Sequence, residues 1–356
     1  MKVKVQGSVL SNILKNISRI APPLNNALTL KVEKNKFSLI AINEVARCFY
    51  SVPTESIEGE GSVCVSIEAL KSAIAGRKEL TLYEQEGVLK IVSGNFKINL
   101  ATQEIISYEF EEEENVKTQS WQVTTEQASW LKQAVTNVAL TPTAIMENPP
   151  LVVKLSNKNA FVCCYSSDHL AFALTKEITG NLELSIPCET FMNVLEVFSK
   201  QNFTLSKSDT KLTVSNELCE VSVSLPSQEY LPSQIIIDKV KEVHKAQGTS
   251  LSFKKEDLLA YFTNAKALQT KERGSIIFKG NSKKIVLEIR TFAGHCENIF
   301  NGNYENVNFG LDQLYFEEAV AKCGEEVSLK WVNDEIQYVY IRTKNSYYLL
   351  STLQNI

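Results

Sequence analysis

Apolar residues recur three and four positions apart in three widely separated segments of the chain. This spacing is helical, because residues three and four apart share one face of an α-helix. The residues in question are Leu10, Ile13, Leu14 and Ile17, then Leu131, Val135 and Val138, then Leu258, Leu259, Phe262 and Ala265. The pattern predicts amphipathic helices that begin near Ser8, Thr125 and Lys254.

A second kind of helical segment alternates with the first. These segments begin near Ile67, Glu189 and Leu311, each about 60 residues after the preceding helix of the first kind. Ser66 and Asp312 supply capping chemistry for two of them, whereas Cys188 is a poor N-cap.

Short strands with alternating polarity fill the intervals. Three strands with turn residues between them follow every second-kind helix, in the segments 78–102, 202–225 and 326–351. Further strands lie between the two helices of each pair, in the segments 28–43, 151–167 and 274–290.

The chain is therefore predicted to be three copies of one α+β domain, each with two helices packed on antiparallel sheet. The predicted domains are 1–118, 119–248 and 249–356. An acidic polar linker at 109–120 joins the first two, and a mixed extended segment at 233–250 joins the last two. Three such domains end to end form a curved body, half of a ring, that closes as a symmetric dimer by edge pairing of its first and last domains.

The composition of the chain argues against several classes of protein. The eight cysteines include no CxxC pair, so they predict buried small hydrophobes in a reducing compartment rather than a metal or disulfide framework. No apolar run reaches the length of a membrane span, and the start of the chain does not read as a signal peptide. We expect a cytoplasmic protein without membrane contact, metal or cofactor. The net charge of −4 argues against a nucleic-acid binder unless basic residues are concentrated on one face.

Several segments resemble the bacterial beta sliding clamp of DNA polymerase III, over essentially the whole chain. The segment LTLKVEKNKFSLIAINEVAR is similar to the family's paired strands, CYSSDHLAFA to a degraded family signature, and EDLLAYFTNAKALQTKERGSIIF to its third-domain helix and strand. The signature's glycine and arginine are missing, and Ser351 and Thr352 replace a methionine–proline pair near the C-terminus. The resemblance implies a divergent, non-catalytic processivity factor, of a kind that a phage also encodes. It implies a ring-shaped homodimer that encircles duplex DNA and tethers a DNA polymerase, with a clamp loader as a further partner.

The resemblance also implies that the helices line the hole and carry the DNA-facing cations. The candidate residues are Lys15, Arg19, Lys71, Arg77, Lys78, Lys266, Lys271 and Arg273. Arg273 matches a family arginine, whereas the family's first-domain arginine has no counterpart near Asn25 and Asn26. Any one of these cations is equally interpretable as a solvated surface charge.

Two further sites follow from the resemblance. The partner-peptide cleft is expected at Ser167, Asp168, His169, Leu170, Leu349 and Leu353, and the dimer contact at Ile98, Leu100, Ala267, Leu268 and Ile276. For Leu349 and the dimer residues the alternative is burial in a domain core, and for His169 it is an ordinary surface histidine.

Two other functions stay open at this point. An enzyme is disfavoured, because His169, His244 and His295 lie on separate segments and no catalytic motif is present. A clamp-like interaction scaffold or replication inhibitor that never encircles DNA is the stronger alternative, and the native mass distinguishes it from a ring.

Overall fold

A computed structural model shows the chain as a helix-and-sheet protein and describes residues 1–21, 26–104, 118–143, 146–226, 230–268, 274–291, 293–304, 306–333 and 337–353. Its elements confirm the predicted α+β class and the threefold repetition. Each repeat runs strand, helix, four strands, helix, three strands, with one additional short strand in the first repeat.

The first repeat contains β1 (Lys2–Gln6), α1 (Gly7–Ile20), β2 (Ala27–Glu33), β3 (Lys36–Ile42), β4 (Ala46–Val52), β5 (Ser56–Glu58), β6 (Gly61–Ser66), α2 (Ile67–Ile74), β7 (Glu79–Gln85), β8 (Val88–Ser93) and β9 (Phe96–Gln103). The second contains β10 (Gln119–Val123), α3 (Thr125–Val138), β11 (Pro150–Leu155), β12 (Ala160–Tyr165), β13 (His169–Thr175), β14 (Leu182–Pro187), α4 (Cys188–Phe198), β15 (Phe203–Lys207), β16 (Lys211–Ser215) and β17 (Cys219–Ser224).

A helix that belongs to no repeat, α5 (Ser233–Lys245), follows β17. The third repeat contains β18 (Thr249–Lys254), α6 (Lys255–Ala265) with a short 3-10 turn at Lys266–Leu268, β19 (Ser275–Gly280), β20 (Lys284–Thr291), β21 (Gly294–Asn301), β22 (Asn308–Asp312), α7 (Gln313–Lys322), β23 (Glu326–Val332), β24 (Tyr338–Arg342) and β25 (Tyr347–Ser351).

The predicted helices begin within two residues of the expected positions. Asp312 caps α7, because its carboxylate accepts the amide hydrogens of Leu314 at 2.9 Å and Tyr315 at 3.4 Å. Ser66 caps α2 by accepting the amide of Ala69 at 3.3 Å. The apolar stripe of α1 is buried as its spacing requires, since Leu10, Leu14 and Ile17 are fully buried.

One prediction is wrong. The segment at 233–250, predicted to be a mixed extended linker, forms the helix α5 over most of its length. Ile236 and Val243 are buried, and with the half-buried Val240 they lie at helical spacing on one face. The three consecutive isoleucines at 235–237 hide this period in the sequence, because they read equally well as part of a strand.

All three repeats pair their strands in the same order. In one group the first strand pairs beside the last three, giving the orders β9-β8-β7-β1, β17-β16-β15-β10 and β25-β24-β23-β18. In the other the orders are β4-β3-β2-β6, β13-β12-β11-β14 and β21-β20-β19-β22. The three repeats therefore share these strand orders, and repeat one adds β5 beside β1 and a short β6–β9 pairing.

Neighbouring repeats are joined at two antiparallel strand pairings, which we call seams. The last strand of repeat two, β17, pairs with the fourth strand of repeat one, β4. The last strand of repeat three, β25, pairs with the fourth strand of repeat two, β13. Each seam continues the hydrogen bonding of one repeat into the next, so that a single sheet crosses the junction.

The chain forms two compact units, Met1–Ser129 with Asn193–Ser227 and Trp130–Met192 with Gln228–Ile356. The first unit contains the β17–β4 seam and the second contains the β25–β13 seam. The unit limits do not follow the repeats, because the two sheets of repeat two belong to different units. The domain limits at 118 and 248 fall directly before β10 and β18, and they stay a prediction.

A buried polar network in the second unit is centred on Lys322 of α7. Its ammonium donates to the backbone carbonyls of Asn137 and Ala139, each at 3.1 Å, and to the Glu318 carboxylate at 2.9 Å. Tyr348 donates to the same Asn137 carbonyl at 3.2 Å. Burial and the neighbouring Glu318 carboxylate raise the pKa of the Tyr348 hydroxyl far above its ordinary value. Lys322 thus satisfies carbonyls at the end of α3 that the helix itself cannot pair.

We expect Lys322→Met to destabilise the protein by about 3 kcal/mol, since it leaves the Glu318 carboxylate and two carbonyls without their cation. The Glu318 side chain is only 13% exposed. Equilibrium urea unfolding measures the change.

Lys241→Met is the matched control, because the Lys241–Asp238 pair is about 60% exposed on both sides and contributes under about 1 kcal/mol. Equal unfolding midpoints for the two variants would contradict the role given to Lys322.

Candidate functional site

A cleft of about 220 Å³ lies in the second unit at one end of the β25–β13 seam. Its floor is the seam itself, where Leu170 lies opposite Leu349 and the Ser351 amide donates to the Asp168 carbonyl at 3.0 Å. Its other wall is α5 together with Leu231, two residues before the helix begins. The lining residues are Tyr165, Ser166, Ser167, Asp168, His169, Leu170, Leu231, Ile235, Ile236, Lys239, Tyr338, Leu349 and Ser351.

The turn between β12 and β13 holds the polar rim of the cleft in place. The Ser166 hydroxyl accepts the amides of Asp168 at 3.4 Å and His169 at 3.1 Å. The Ser167 hydroxyl donates to the Asp168 carboxylate at 2.9 Å. A partly exposed carboxylate therefore stands at a fixed position beside the apolar floor.

The opposite wall is apolar and open to solvent. Leu231 is 49% exposed and Ile235 is 57% exposed, which is unusual for large apolar side chains that lie together. Lys239 lies one helical turn beyond Ile235, where its ammonium donates to Glu242 at 2.9 Å and lies 5.7 Å from the Tyr338 ring centroid. The wall offers apolar contacts with one cation at its edge.

One hydrogen bond links the polar turn side of the cleft to the approach of α5. The Tyr165 hydroxyl accepts the amide hydrogen of Leu231 at 2.8 Å. Burial raises the pKa of Tyr165, and the bond from Leu231 opposes that rise. This contact holds Leu231, and the Lys154 ammonium donates to the Ser233 hydroxyl at 3.0 Å at the start of α5.

Five of the six predicted cleft residues line this cavity. His169 is 8% exposed and lies against the Tyr315 ring at 4.2 Å between centroids, so the surface-histidine alternative is wrong. Leu349 is half-buried at the floor. Leu353 is 40% exposed and bonded through its amide to Gly310 at 2.9 Å, and it is not among the lining residues.

The residues that the sequence missed are those of α5 and its approach. The predicted extended linker includes Ile235, Ile236 and Lys239, and Leu231 lies two residues before it, so the sequence assigns none of them to a face. The helical spacing of Ile236, Val240 and Val243 is the signal that identifies the wall.

The predicted DNA-facing cations fall into three groups. Lys15 and Arg19 of α1 and Lys71 of α2 line one groove of about 470 Å³ in the first unit. Arg19 lies 3.6 Å from the Glu196 carboxylate and Lys71 lies 2.8 Å from that of Glu68, so both cations are already partly neutralised.

Arg77 and Lys78 follow α2. Arg77 donates through Nε to the Ala73 carbonyl at 2.9 Å, and its guanidinium lies over the Phe96 ring, so it is engaged in holding the helix end. Lys78 is exposed, as is Lys266 in the 3-10 turn after α6. Lys271 and Arg273 lie outside the described residues.

The predicted dimer residues differ in burial and in their position within the sheets. Ile98 is half-buried and Leu100 is buried on β9, whose outer edge pairs, among the described residues, only through Thr102 and Gln103. Leu268 is half-buried, and the side chain of Ala267 lies outside what the structure describes. Ile276 is fully buried at the centre of its sheet, between β20 and β22. Its side chain is core, and it is not available to a second chain.

The strand β21 lies outside the predicted segments, and in the described part of repeat three it is an outer strand of the four-stranded sheet. Its Ile299 is 52% exposed.

In the described residues no group of three metal-ligating side chains occurs. None of the helices described is both long and apolar enough to cross a membrane.

No protein-family model matches the sequence, and no curated protein matches it either. Solved structures do match. A DNA polymerase III beta subunit from Thermotoga maritima superposes with a TM-score of 0.81 at 15% identity, covering 100% of both chains. That of Pseudomonas aeruginosa gives 0.79 at 13% identity, again over 100% of both chains. The Helicobacter pylori beta clamp bound to a DNA ligase peptide gives 0.73 at 16% identity, over 99% of this chain and 100% of that one.

We expect Tyr165→Phe to leave the Leu231 amide without its acceptor, at a cost of about 1 kcal/mol. Amide hydrogen exchange at Leu231 should quicken accordingly, while exchange in β13 stays unchanged. Tyr83→Phe on β7 is the control, because the Tyr83 hydroxyl accepts no described backbone amide. Unchanged exchange at Leu231 in the Tyr165 variant would show that the cleft wall is held by other contacts.

Over its whole length, then, the chain has the fold of the DNA polymerase III beta clamp.

Proposed function

We propose that this chain is a DNA sliding clamp: a ring-shaped homodimer that encircles duplex DNA and tethers a DNA polymerase and other DNA-processing proteins. Full-length similarity to beta clamps supports the fold that such a ring needs. The observation that carries the proposal is that β9 and β21 have no seam among the described residues.

Each seam joins the last strand of one repeat to the fourth strand of the repeat before it. Two such strands remain without a seam, the last strand of repeat one, β9, and the fourth strand of repeat three, β21. Among the described residues, β9 meets β6 only through Thr102 and Gln103, and β21 pairs only with β20. An open edge of this length invites pairing with another chain. A second copy supplies the missing strand at each edge, and two such contacts close a dimer.

A closed ring retains DNA by topology and needs little affinity for it. Phosphate contacts are sequence-independent and weaken with salt, so a few cations are sufficient for a clamp that slides. The groove of Lys15, Arg19 and Lys71, together with Lys78 and Lys266, is the proposed contact surface, and we keep Lys271 and Arg273 in it. Two of the groove's cations face carboxylates, and this agrees with a loose contact and with the net charge of −4.

The cleft of the second unit is the proposed docking site for partner peptides. Apolar walls with a fixed carboxylate and one cation suit a short peptide with hydrophobic anchors and polar flanks. The DNA ligase peptide bound to the Helicobacter pylori beta clamp supports this assignment. A polymerase and a clamp loader are the proposed partners, and the cytoplasm, or the cytoplasm of a phage host, is the proposed location.

The alternative is a scaffold or replication inhibitor with the clamp fold that never encircles DNA. Such a protein has no need of complementary edges at β9 and β21. The proposal assigns no catalytic activity to the chain.

After loading by its clamp loader, we expect the protein to stay on nicked circular DNA through gel filtration and to leave when the circle is cut. Ile299→Asp, which places a carboxylate on the β21 edge, should abolish retention on the circle. Leu218→Asp is the control, because Leu218 is similarly exposed at 49% but lies in a turn of the first unit. Equal retention on circular and linear DNA would remove the encircling mechanism.

We also expect Ile235→Asp to weaken binding of labelled peptides tiled along the cognate polymerase by about tenfold or more, because it places a charge in the apolar wall. Fluorescence anisotropy measures the affinity. Leu174→Asp is the control, since Leu174 is 51% exposed in the same unit and outside the cleft. Equal losses in the two variants would place the docking site elsewhere.

A further inference from the structure

Both seams use one strand register. Each strand of a seam follows a tight turn, and we call the residue that closes this turn the start residue. In the first seam the start residues are Ala46 and Cys219, whose carbonyls accept the amides of Asn43 and Asn216, each at 2.9 Å. In the second they are His169 and Ser346, which accept the amides of Ser166 at 2.7 Å and Thr343 at 2.9 Å.

The offset between the strands is identical in the two seams. Cys219 lies opposite Tyr50, four residues beyond Ala46. Likewise His169 lies opposite Leu350, four residues beyond Ser346. The third residue of each strand therefore faces the third residue of the other, as Val221 faces Cys48 and Ala171 faces Tyr348.

The hydrogen bonds alternate in the same phase as well. The Ser224 amide donates to the Val45 carbonyl at 2.8 Å, and the Ser351 amide donates to the Asp168 carbonyl at 3.0 Å. Counting inwards from these bonds, the central pair of each seam is a non-hydrogen-bonded pair, the kind in which side chains approach most closely. One geometric rule thus describes both junctions.

We propose that the same register joins β9 of one copy to β21 of a second copy, so that Ile98 lies opposite Cys296 and Lys97 opposite Glu297. The start residues are Phe96, which pairs with Ser93, and Gly294, which pairs with Thr291. This inference rests on the proposed homodimer and specifies its contact residue by residue.

The side chains agree with a register that was fixed by the backbone alone. On one face of the contact, half-buried Ile98 meets Cys296, which alone among the eight cysteines is not buried. Leu100 meets Gly294, whose missing side chain leaves room beside Leu268: a Cβ there would lie 3.5 Å from the Leu268 methyl group. A slip of one residue would turn every side chain of β9 to the opposite face.

On the other face the register brings opposite charges together. Lys97 and Glu297 are both exposed, and each is the one formally charged residue between the start residue and the fifth position of its strand. Within its own hairpin Glu297 lies opposite another carboxylate, Glu288. Glu288 is already paired with Arg290 and Lys279, so Lys97 of the second copy faces Glu297 itself, and cross-strand pairs of opposite charge stabilise a sheet. The contact therefore selects a second copy of this chain.

Disulfide trapping tests the register directly. In Ile98→Cys the new thiol faces the native Cys296 across a non-hydrogen-bonded pair, where the Cα atoms lie about 4.5 Å apart, within the range that a disulfide spans. With diamide as the oxidant, two thiols lose two protons and two electrons to the reagent and form one intermolecular S–S bond. We expect covalent dimers on a non-reducing gel.

Three controls make the trapping specific. The unmodified chain should not cross-link, and neither should Ile98→Cys combined with Cys296→Ser. Asn99→Cys should also fail, because residue 99 faces the opposite side of the sheet from Cys296. Cross-linking through Asn99→Cys instead of Ile98→Cys would overturn the register.

Exchanging the charges at residues 97 and 297 tests the proposed Lys97–Glu297 pair. Lys97→Glu and Glu297→Lys should each weaken the homodimer by about tenfold, because each places like charges opposite one another at both contacts. Mixing these two variants should restore association, since opposite charges then meet at both contacts of the heterodimer. Sedimentation at low and high salt measures the effect.

The outcomes separate the two proposals. A stable dimer without the trapped disulfide and without the charge effect overturns the register and leaves the dimer intact. An unmodified chain that stays monomeric at micromolar concentration overturns the proposed dimer and the register together.

Discussion

The structure depends on the pairing of strand edges between repeats. An unpaired edge exposes a row of backbone donors and acceptors, and each repeat can join its neighbours through two of its edges, at its fourth strand and at its last. The β17–β4 and β25–β13 seams pair four of these six joining edges inside the chain. Three repeats joined in this way leave two strands without a seam. These are the last strand of repeat one, β9, and the fourth strand of repeat three, β21. The proposed dimer uses these two strands, so it follows from the repeat pattern rather than from an added interface.

The seam in the second unit also builds the cleft. Because β25 pairs with β13, the polar turn at Ser166–Asp168 lies beside Leu349 and Ser351 from the end of the chain. The helix α5 then closes the other side, held by Tyr165 through Leu231. The same unit contains the Lys322 network, which ties α7 and β25 to the end of α3. The proposed docking site thus lies on strands that packing and polar contacts keep in place.

Much of the fold can be predicted from the sequence, because the spacing of apolar residues repeats in each of the three repeats. Helical spacing at Leu10, Leu14 and Ile17 and its two later copies predicted α1, α3 and α6 and placed each start within one residue. Capping at Ser66 and Asp312 was equally local, and the structure confirms it. The helix α5 was missed because consecutive isoleucines suit a strand as well as a helix, and only burial against the sheet decides between them. The missed cleft wall follows from that one error.

Long-range pairing was harder to predict. Ile276 and Ile98 are both apolar residues in strands, yet one lies in a central strand and the other on an edge, and composition does not distinguish them. The edge position of β21 was not predictable, because exposed and half-buried residues alternate around Ile299 as they also can in a central strand. Charge was misleading in the same way: a net charge of −4 says nothing of where Lys15, Arg19 and Lys71 lie together.

The central claim is that β9 and β21 are complementary edges that two copies use to close on each other. Native mass measurement of the unmodified chain from nanomolar to micromolar concentration tests it most directly. The account predicts a dimer that persists across this range, with no larger species, because two contacts close the assembly and leave no fourth or last strand without a seam. A monomer throughout, or an open series of trimers and longer chains that grows with concentration, would contradict it.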